Sequence, residues 1–161
     1  MMDTFWRNYL RLYEIIASDR RRALPQVCAG AHRLKEDEEE NQRLLSGVLD
    51  REVTGTVCPL SAWTALNRPI PKAGECRILL DNEDNPRCII RTGQVHLVPW
   101  RNMTEEYATL EKQDDSLWLW QQRVRPALLD ICRKEDRPFS VDTLLLVETF
   151  EMVYFEEAPR P

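Results

Sequence analysis

Apolar residues near the start of the chain, Phe5, Trp6, Tyr9, Leu10, Leu12 and Tyr13, recur at spacings of three and four and run on into Ile15 and Ile16. Side chains so spaced share one face of an α-helix, which predicts an N-terminal helix within residues 1–24. Pro25 stops it, because its ring fixes φ and removes an N–H. A second amphipathic run spans Lys35 to Leu49. Glu36, Asp37 and Glu38 suit the positive end of a helix dipole, and Leu44, Leu45, Val48 and Leu49 form the stripe. The acidic run Glu36 to Glu40 reads as the solvated face of that helix.

The period then changes to two. Thr54 to Cys58 is short and β-branched, and Pro69, Pro71 and Gly74 punctuate the loop after it. Cys76 to Leu80 reads as a strand, with turn-forming Asn82-Glu83-Asp84-Asn85-Pro86 joining it to Arg87–Thr92 as a hairpin. Gln94 to Pro99 alternates as a half-buried strand does. Thr104 caps a short helix, and Ser116 caps another bearing Leu117, Trp118 and Trp120. Pro126 ends or kinks that helix, or begins the next segment. Thr143 to Phe155 is a long β-rich run, and residues 158–161 form a loose tail. Helices around mostly antiparallel strands make an α+β domain occupying residues 1–157.

Composition narrows the function classes. At 161 residues, 43% hydrophobic and 30% charged, the chain has one domain's length and can bury a core. Its longest apolar run, Leu144 to Val147, is far short of the roughly 20 residues of a membrane span. A net charge of −5 argues against bulk DNA binding, which needs a broad basic face, and leaves room for a local basic cleft. Five cysteines without a C-x-x-C pair and only two histidines, His32 and His96, do not make a zinc site. Unclustered thiols and the lack of a signal-like stretch point to the cytoplasm. The five glycines stand singly, so no phosphate-binding loop is present, and His96, on the polar face of its strand, does not suggest a catalytic triad.

Several segments follow one another in a distinctive order: Phe5-Trp6-Arg7-Asn8-Tyr9-Leu10; Val48-Leu49-Asp50-Arg51-Glu52-Val53-Thr54-Gly55-Thr56; and Pro71-Lys72-Ala73-Gly74-Glu75. After these come a hairpin from Leu80-Asp81 through Pro86, Ile90, Thr92, Val95 and Val98 to Pro99-Trp100; then Ser116, Leu117 and Trp120; then Glu148, Phe150, Glu151, Met152, Val153 and Tyr154. In this order they resemble the ASCH domain in its larger bacterial form, from about Phe5 to Tyr154. The resemblance implies a small PUA-like, mostly antiparallel β-barrel with flanking helices. It also implies RNA binding, amidohydrolysis of acetylated cytidine, or ribonuclease activity assisted by a divalent cation.

The family's working motif is G-x-K-x-x-T, with a carboxylate on a neighbouring strand. This sequence is similar only in part: Arg51 stands for the glycine and Val53 for the lysine, while Thr56 remains. A register shifted by two puts Arg51 on the lysine and Thr54 on the threonine, but sets Leu49 on the glycine. Neither register supplies a base, since valine has no proton chemistry and arginine stays protonated. Val124 lies near the place of a family histidine. Losing a general base removes typically 10²–10⁴-fold of rate, so the resemblance implies binding rather than lysine-dependent hydrolysis.

Thr56, Glu148 and Ser140 are the candidates for any remaining catalysis. Arg51, Thr54, Thr56, Trp63, Lys72 and Glu148 are the candidates for ligand binding, with Trp63 or Trp100 available to stack a base. The expected partners are short single-stranded RNA or a modified nucleoside or nucleotide. No resident cofactor or metal is expected, a divalent cation entering only if the chain hydrolyses its ligand. A protein-interaction module using the 36–40 acidic face is the further alternative.

Overall fold

In the computed structural model the described residues are 1–17 and 28–157, so the end of the expected first helix and the tail at 158–161 lie outside them. Sixteen residues of apolar periodicity form α1, Met2–Ala17, whose Phe5 and Tyr9 bury against the sheet. The chain then makes β1 (Cys28–His32), α2 (Glu38–Leu49), β2 (Gly55–Pro59), α3 (Leu60–Ala65), β3 (Cys76–Leu80) and β4 (Pro86–Pro99). A single 3₁₀ turn at Trp100–Asn102 leads to α4 (Glu105–Ala108), α5 (Leu117–Lys134) and β5 (Leu144–Phe155).

The caps sit where short polar side chains can take up orphan amides. Asp37 accepts from the Glu40 amide at 2.9 Å, so α2 starts at Glu38 and leaves Lys35 outside the helix. Thr104 and Ser116 cap α4 and α5 in the same way, each at 3.2 Å. Pro126 lies inside α5 rather than ending it. The carbonyl it leaves unpaired belongs to exposed Gln122, where water can serve it. The two strands expected at 87–92 and 94–99 are one long β4, bulged between Thr92 and Val95. The Ala/Gly-rich β1 and the short α3 carry no periodicity long enough to predict.

The five strands make one mixed sheet in the order β1-β3-β4-β5-β2, with β1 parallel to β3 and the other pairs antiparallel. Alternation sends Ile78 and Leu80 to α1 and Leu79 to the opposite face, under Leu44, Leu45 and Val48 of α2. A third cluster packs Trp120, Leu128 and Cys132 of α5 on Val57, Leu145 and Val147. Among the described residues no helix is long and apolar enough to cross a membrane.

The expected closed barrel is corrected by this topology: β1 and β2 are the two ends of an open sheet, with no ladder between them. Among the described residues β1 covers Cys28–His32, shifts register between Cys28 and Ala31, and pairs with β3 alone. Side chains bridge the gap instead. The Phe150 amide donates to the Thr54 carbonyl, so alternation turns the N–H and C=O of Val57 to the free edge. There Glu111 accepts from the Val57 amide at 3.1 Å, and the Lys35 ammonium donates to the Val57 carbonyl at 3.1 Å.

Gly55 opens β2 because nothing larger fits. A Cβ there would stand 2.5 Å from the Glu148 carbonyl oxygen and 3.1 Å from Leu110 Cδ1. Gly55→Ala is expected to destabilise the fold by about 1–3 kcal/mol, the usual range for overpacking, measured by urea unfolding.

Candidate functional site

The side-chain bridge between the sheet edges is also where polar chemistry gathers. His32 ends β1, the segment Arg33 to Glu36 crosses toward β2, and Cys58 and Pro59 end β2 before α3 brings in Trp63. Arg68 follows from the next loop. A cleft of about 220 Å³ opens here, lined by Arg33, Lys35, Glu36, Cys58, Trp63 and Arg68 among others. A second, of about 180 Å³, shares Lys35, Cys58 and Pro59 and runs under α5 to Glu111, Trp120 and Ile131.

Lys35 and Glu111 form the ion pair between the two clefts, at 3.0 Å. Burial, the largest single influence, works against the lysine's charge, but Glu111 and its other anionic neighbours together hold the Lys35 pKa above its usual value. Burial likewise pushes the neighbouring Cys58 thiol up, to about 11, against the pull of Lys35. A thiol so placed is not a nucleophile at neutral pH.

Behind the first cleft runs a buried relay. Arg77 of β3 and Glu148 of β5 form an ion pair with side chains 6% and 4% exposed, and Thr92 donates to the same carboxylate oxygen at 2.7 Å. Arg77 also donates to His32 Nε2 at 2.7 Å, which requires a lone pair there. The His32 proton therefore sits on Nδ1, 2.7 Å from the Arg33 carbonyl that accepts it. Burial first, then the Arg77 charge, lower the His32 pKa to about 3, so the ring is neutral and its one basic nitrogen is occupied. Arg68 lies 3.1 Å from Nδ1, a contact rather than a hydrogen bond once that nitrogen carries the proton. Both guanidinium groups lie over the Trp63 ring, at 5.4 Å for Arg68 and 5.7 Å for Arg77, and His32 meets that ring edge-on.

The candidates read from the sequence fall into two groups. Thr56 and Glu148 are direct cross-strand partners but line neither cleft, whereas buried Trp63 lines the first. Arg51, Thr54, Lys72 and Ser140 are exposed and line neither cleft. Arg51 sits at φ 62° and donates to the Met152 carbonyl at 3.2 Å; Ser140 accepts from the Asp142 amide at 3.1 Å and so caps its own turn. Thr54 precedes β2, and the Lys72 amide bonds Glu75 at 3.1 Å. Trp100 is core, packed on Trp120 and Phe139. Val53, which the motif alignment sets at the family lysine, is 4% exposed and packs beneath α2 with Leu44, Leu45 and Val48, in the core rather than in a cleft. The cleft lysine is Lys35, from the segment after β1.

His32, Lys35, Cys58, Arg68, Arg77, Thr92 and Glu111 escaped the sequence reading. Arg77 did leave a signal: it is the lone charge inside an otherwise apolar strand, and buried charges need partners. Among the described residues no group of three or more His, Cys, Asp or Glu side chains could hold a metal ion.

Comparison with known proteins agrees with this architecture. The family model for the ASCH domain matches residues 31–154. No curated protein matches the chain in sequence. An ASCH domain from Lactobacillus crispatus JV V101 superposes with a TM-score of 0.76 at 22% identity, over 94% of this chain and 93% of that one. A protein from Enterococcus faecalis V583 superposes with a TM-score of 0.74 at 24% identity, over 99% and 96%. Both likenesses are of fold.

Two outcomes are expected. Because His32 is held neutral, the unfolded chain binds the proton first as pH falls. Stability is therefore full above pH 6.5 and declines toward about 3. Urea unfolding at pH 5 should read roughly 2 kcal/mol below pH 7 for the native chain, with a flatter profile for His32→Gln. Glu148→Gln leaves the Arg77 charge buried without its counter-charge and is expected to lose about 3–5 kcal/mol in the same assay.

Proposed function

Because the chain belongs to the ASCH domain family, we propose that it binds short single-stranded RNA or a modified nucleoside or nucleotide in the cleft at the open edge of the sheet. The carrying observation is the concentration of Arg33, Lys35, Arg68 and Arg77 around Trp63 and His32, in a chain whose net charge is −5. Arg68 offers an anion contact at the cleft mouth, and the buried Trp63 ring forms an apolar wall beside it. A cytoplasmic setting suits its five free thiols.

The same groups support binding over hydrolysis. A general base works best with a pKa near the operating pH. Lys35 is held above its usual value, Cys58 near 11 and His32 near 3, so each keeps one protonation state around neutrality. Thr56 and Glu148 do adjoin each other, but the carboxylate is already engaged by Arg77 and Thr92.

Fluorescence titration with short single-stranded RNAs, nucleosides and nucleotides tests the reading. Salt-sensitive binding is expected at micromolar protein. Arg68→Ala is expected to weaken it about tenfold, the loss of one charge-assisted contact. Between about pH 5 and 9 the affinity for a dinucleoside monophosphate should stay level, because none of these three side chains titrates there. No binding to any probe sinks the proposal. Product formed from acetylcytidine or labelled RNA, with or without Mg²⁺ or Mn²⁺, would favour the hydrolase instead.

A further inference from the structure

Most cations around the cleft already have a close partner. Arg77 is held by Glu148, Lys35 by Glu111 at 3.0 Å, and Arg33 by Asp84 at 3.0 Å. Arg68 differs. Its nearest carboxylate oxygen is on Glu36, 3.8 Å away, and the Glu36 side chain is 74% exposed against 23% for Arg68. A pair so long and so unevenly solvated is weak, of the kind that contributes little. Arg68 is nonetheless placed over the Trp63 ring, its guanidinium carbon 5.4 Å from the ring centroid. It is a pre-positioned guanidinium at the cleft mouth with a loosely held internal anion on it.

Two further features limit what that guanidinium can receive. The cleft that Arg68 lines holds about 220 Å³, and the Lys35–Glu111 pair separates it from its neighbour. Pockets that enclose a whole small ligand run to roughly 300–1,000 Å³, so this one has room for part of a single nucleotide and not for a run of them. Glu36 lines the first cleft and Glu40, from the first turn of α2, lines the second. Successive phosphates of a longer strand would run against these carboxylates, and like charges in close range repel.

Resting on the nucleotide-binding reading, we infer that the ligand is a nucleotide carrying a single phosphate group, which takes the place of the Glu36 carboxylate on Arg68. Glu36 then acts as a built-in competitor. It occupies the guanidinium when the cleft is empty, and it raises the ligand concentration needed to fill the cleft. The bidentate geometry of an arginine on phosphate favours the exchange over the long contact with Glu36. The acidic turn of α2 excludes longer polyanions from the same place, which is a specificity device rather than only a solvated helix face.

The test titrates the full chain with a nucleoside, its 5′-monophosphate and a single-stranded oligoribonucleotide of about eight residues, for each of the four bases. The monophosphate is expected to bind at least about tenfold more tightly than the nucleoside, the increment of one charge-assisted contact. That preference should vanish in Arg68→Ala. Glu36→Gln should tighten the monophosphate about two- to fivefold, the range an exposed ion pair is worth, and leave the nucleoside unchanged. Tighter binding of the oligomer than of the monophosphate would overturn the single-phosphate inference while keeping nucleic-acid binding. An unchanged affinity in Glu36→Gln would overturn the competitor role. Silence from every probe would overturn both this inference and the reading beneath it.

Discussion

An edge strand with no neighbour must satisfy its outward amides and carbonyls by other means, and in this fold that obligation falls on Val57. Its N–H goes to Glu111 and its C=O to Lys35, two residues from segments far apart in the chain. Each charge would be costly to desolvate alone; paired at 3.0 Å and bonded to the strand, they are compensated. Satisfying the edge thus holds three pieces together: the segment after β1, the end of β2, and the loop before α5. The two clefts lie on either side of this junction, so their position follows from how the sheet ends.

The second layer of order is the chain of contacts from Thr92 and Glu148 through Arg77 to His32. It crosses β4, β5, β3 and β1 in turn. Its effect on the cleft is indirect: it fixes which nitrogen of His32 carries the proton and holds a guanidinium against Trp63. Fixed charges and a fixed tautomer leave the cleft little to reorganise when an anion arrives, which is how a preorganised site gains affinity.

The fold was largely legible because most of it obeys simple periodicities. The three-and-four spacing of Phe5 to Tyr13, the strand Cys76–Leu80 and the caps Thr104 and Ser116 each depend on near neighbours only. The candidate site was legible in part. Trp63 was named and lines the cleft; Thr56 and Glu148 were named together and strand pairing sets them side by side, though neither lines a cleft. Lys35 and Glu111 were not, because their meeting depends on an unclosed edge that no local pattern records. Val53 shows the converse. Its alignment with a motif suggested a cleft, while its β-branched apolar side chain obeys the core under α2.

A sheet joined across its ends by side chains, rather than by a ladder, has a place where it can part without unfolding. Backbone ladders open cooperatively, whereas this junction releases when Val57 lets go of two side chains, Glu111 at its N–H and Lys35 at its C=O, so the β2 edge belongs with the less protected regions of the molecule. Hydrogen exchange at Val57 would report that local opening directly. Anything bound in the clefts beside Lys35 would hold the junction shut in proportion to its concentration, by mass action alone. The gap left where a barrel fails to close thereby makes occupancy readable in the mobility of a single strand.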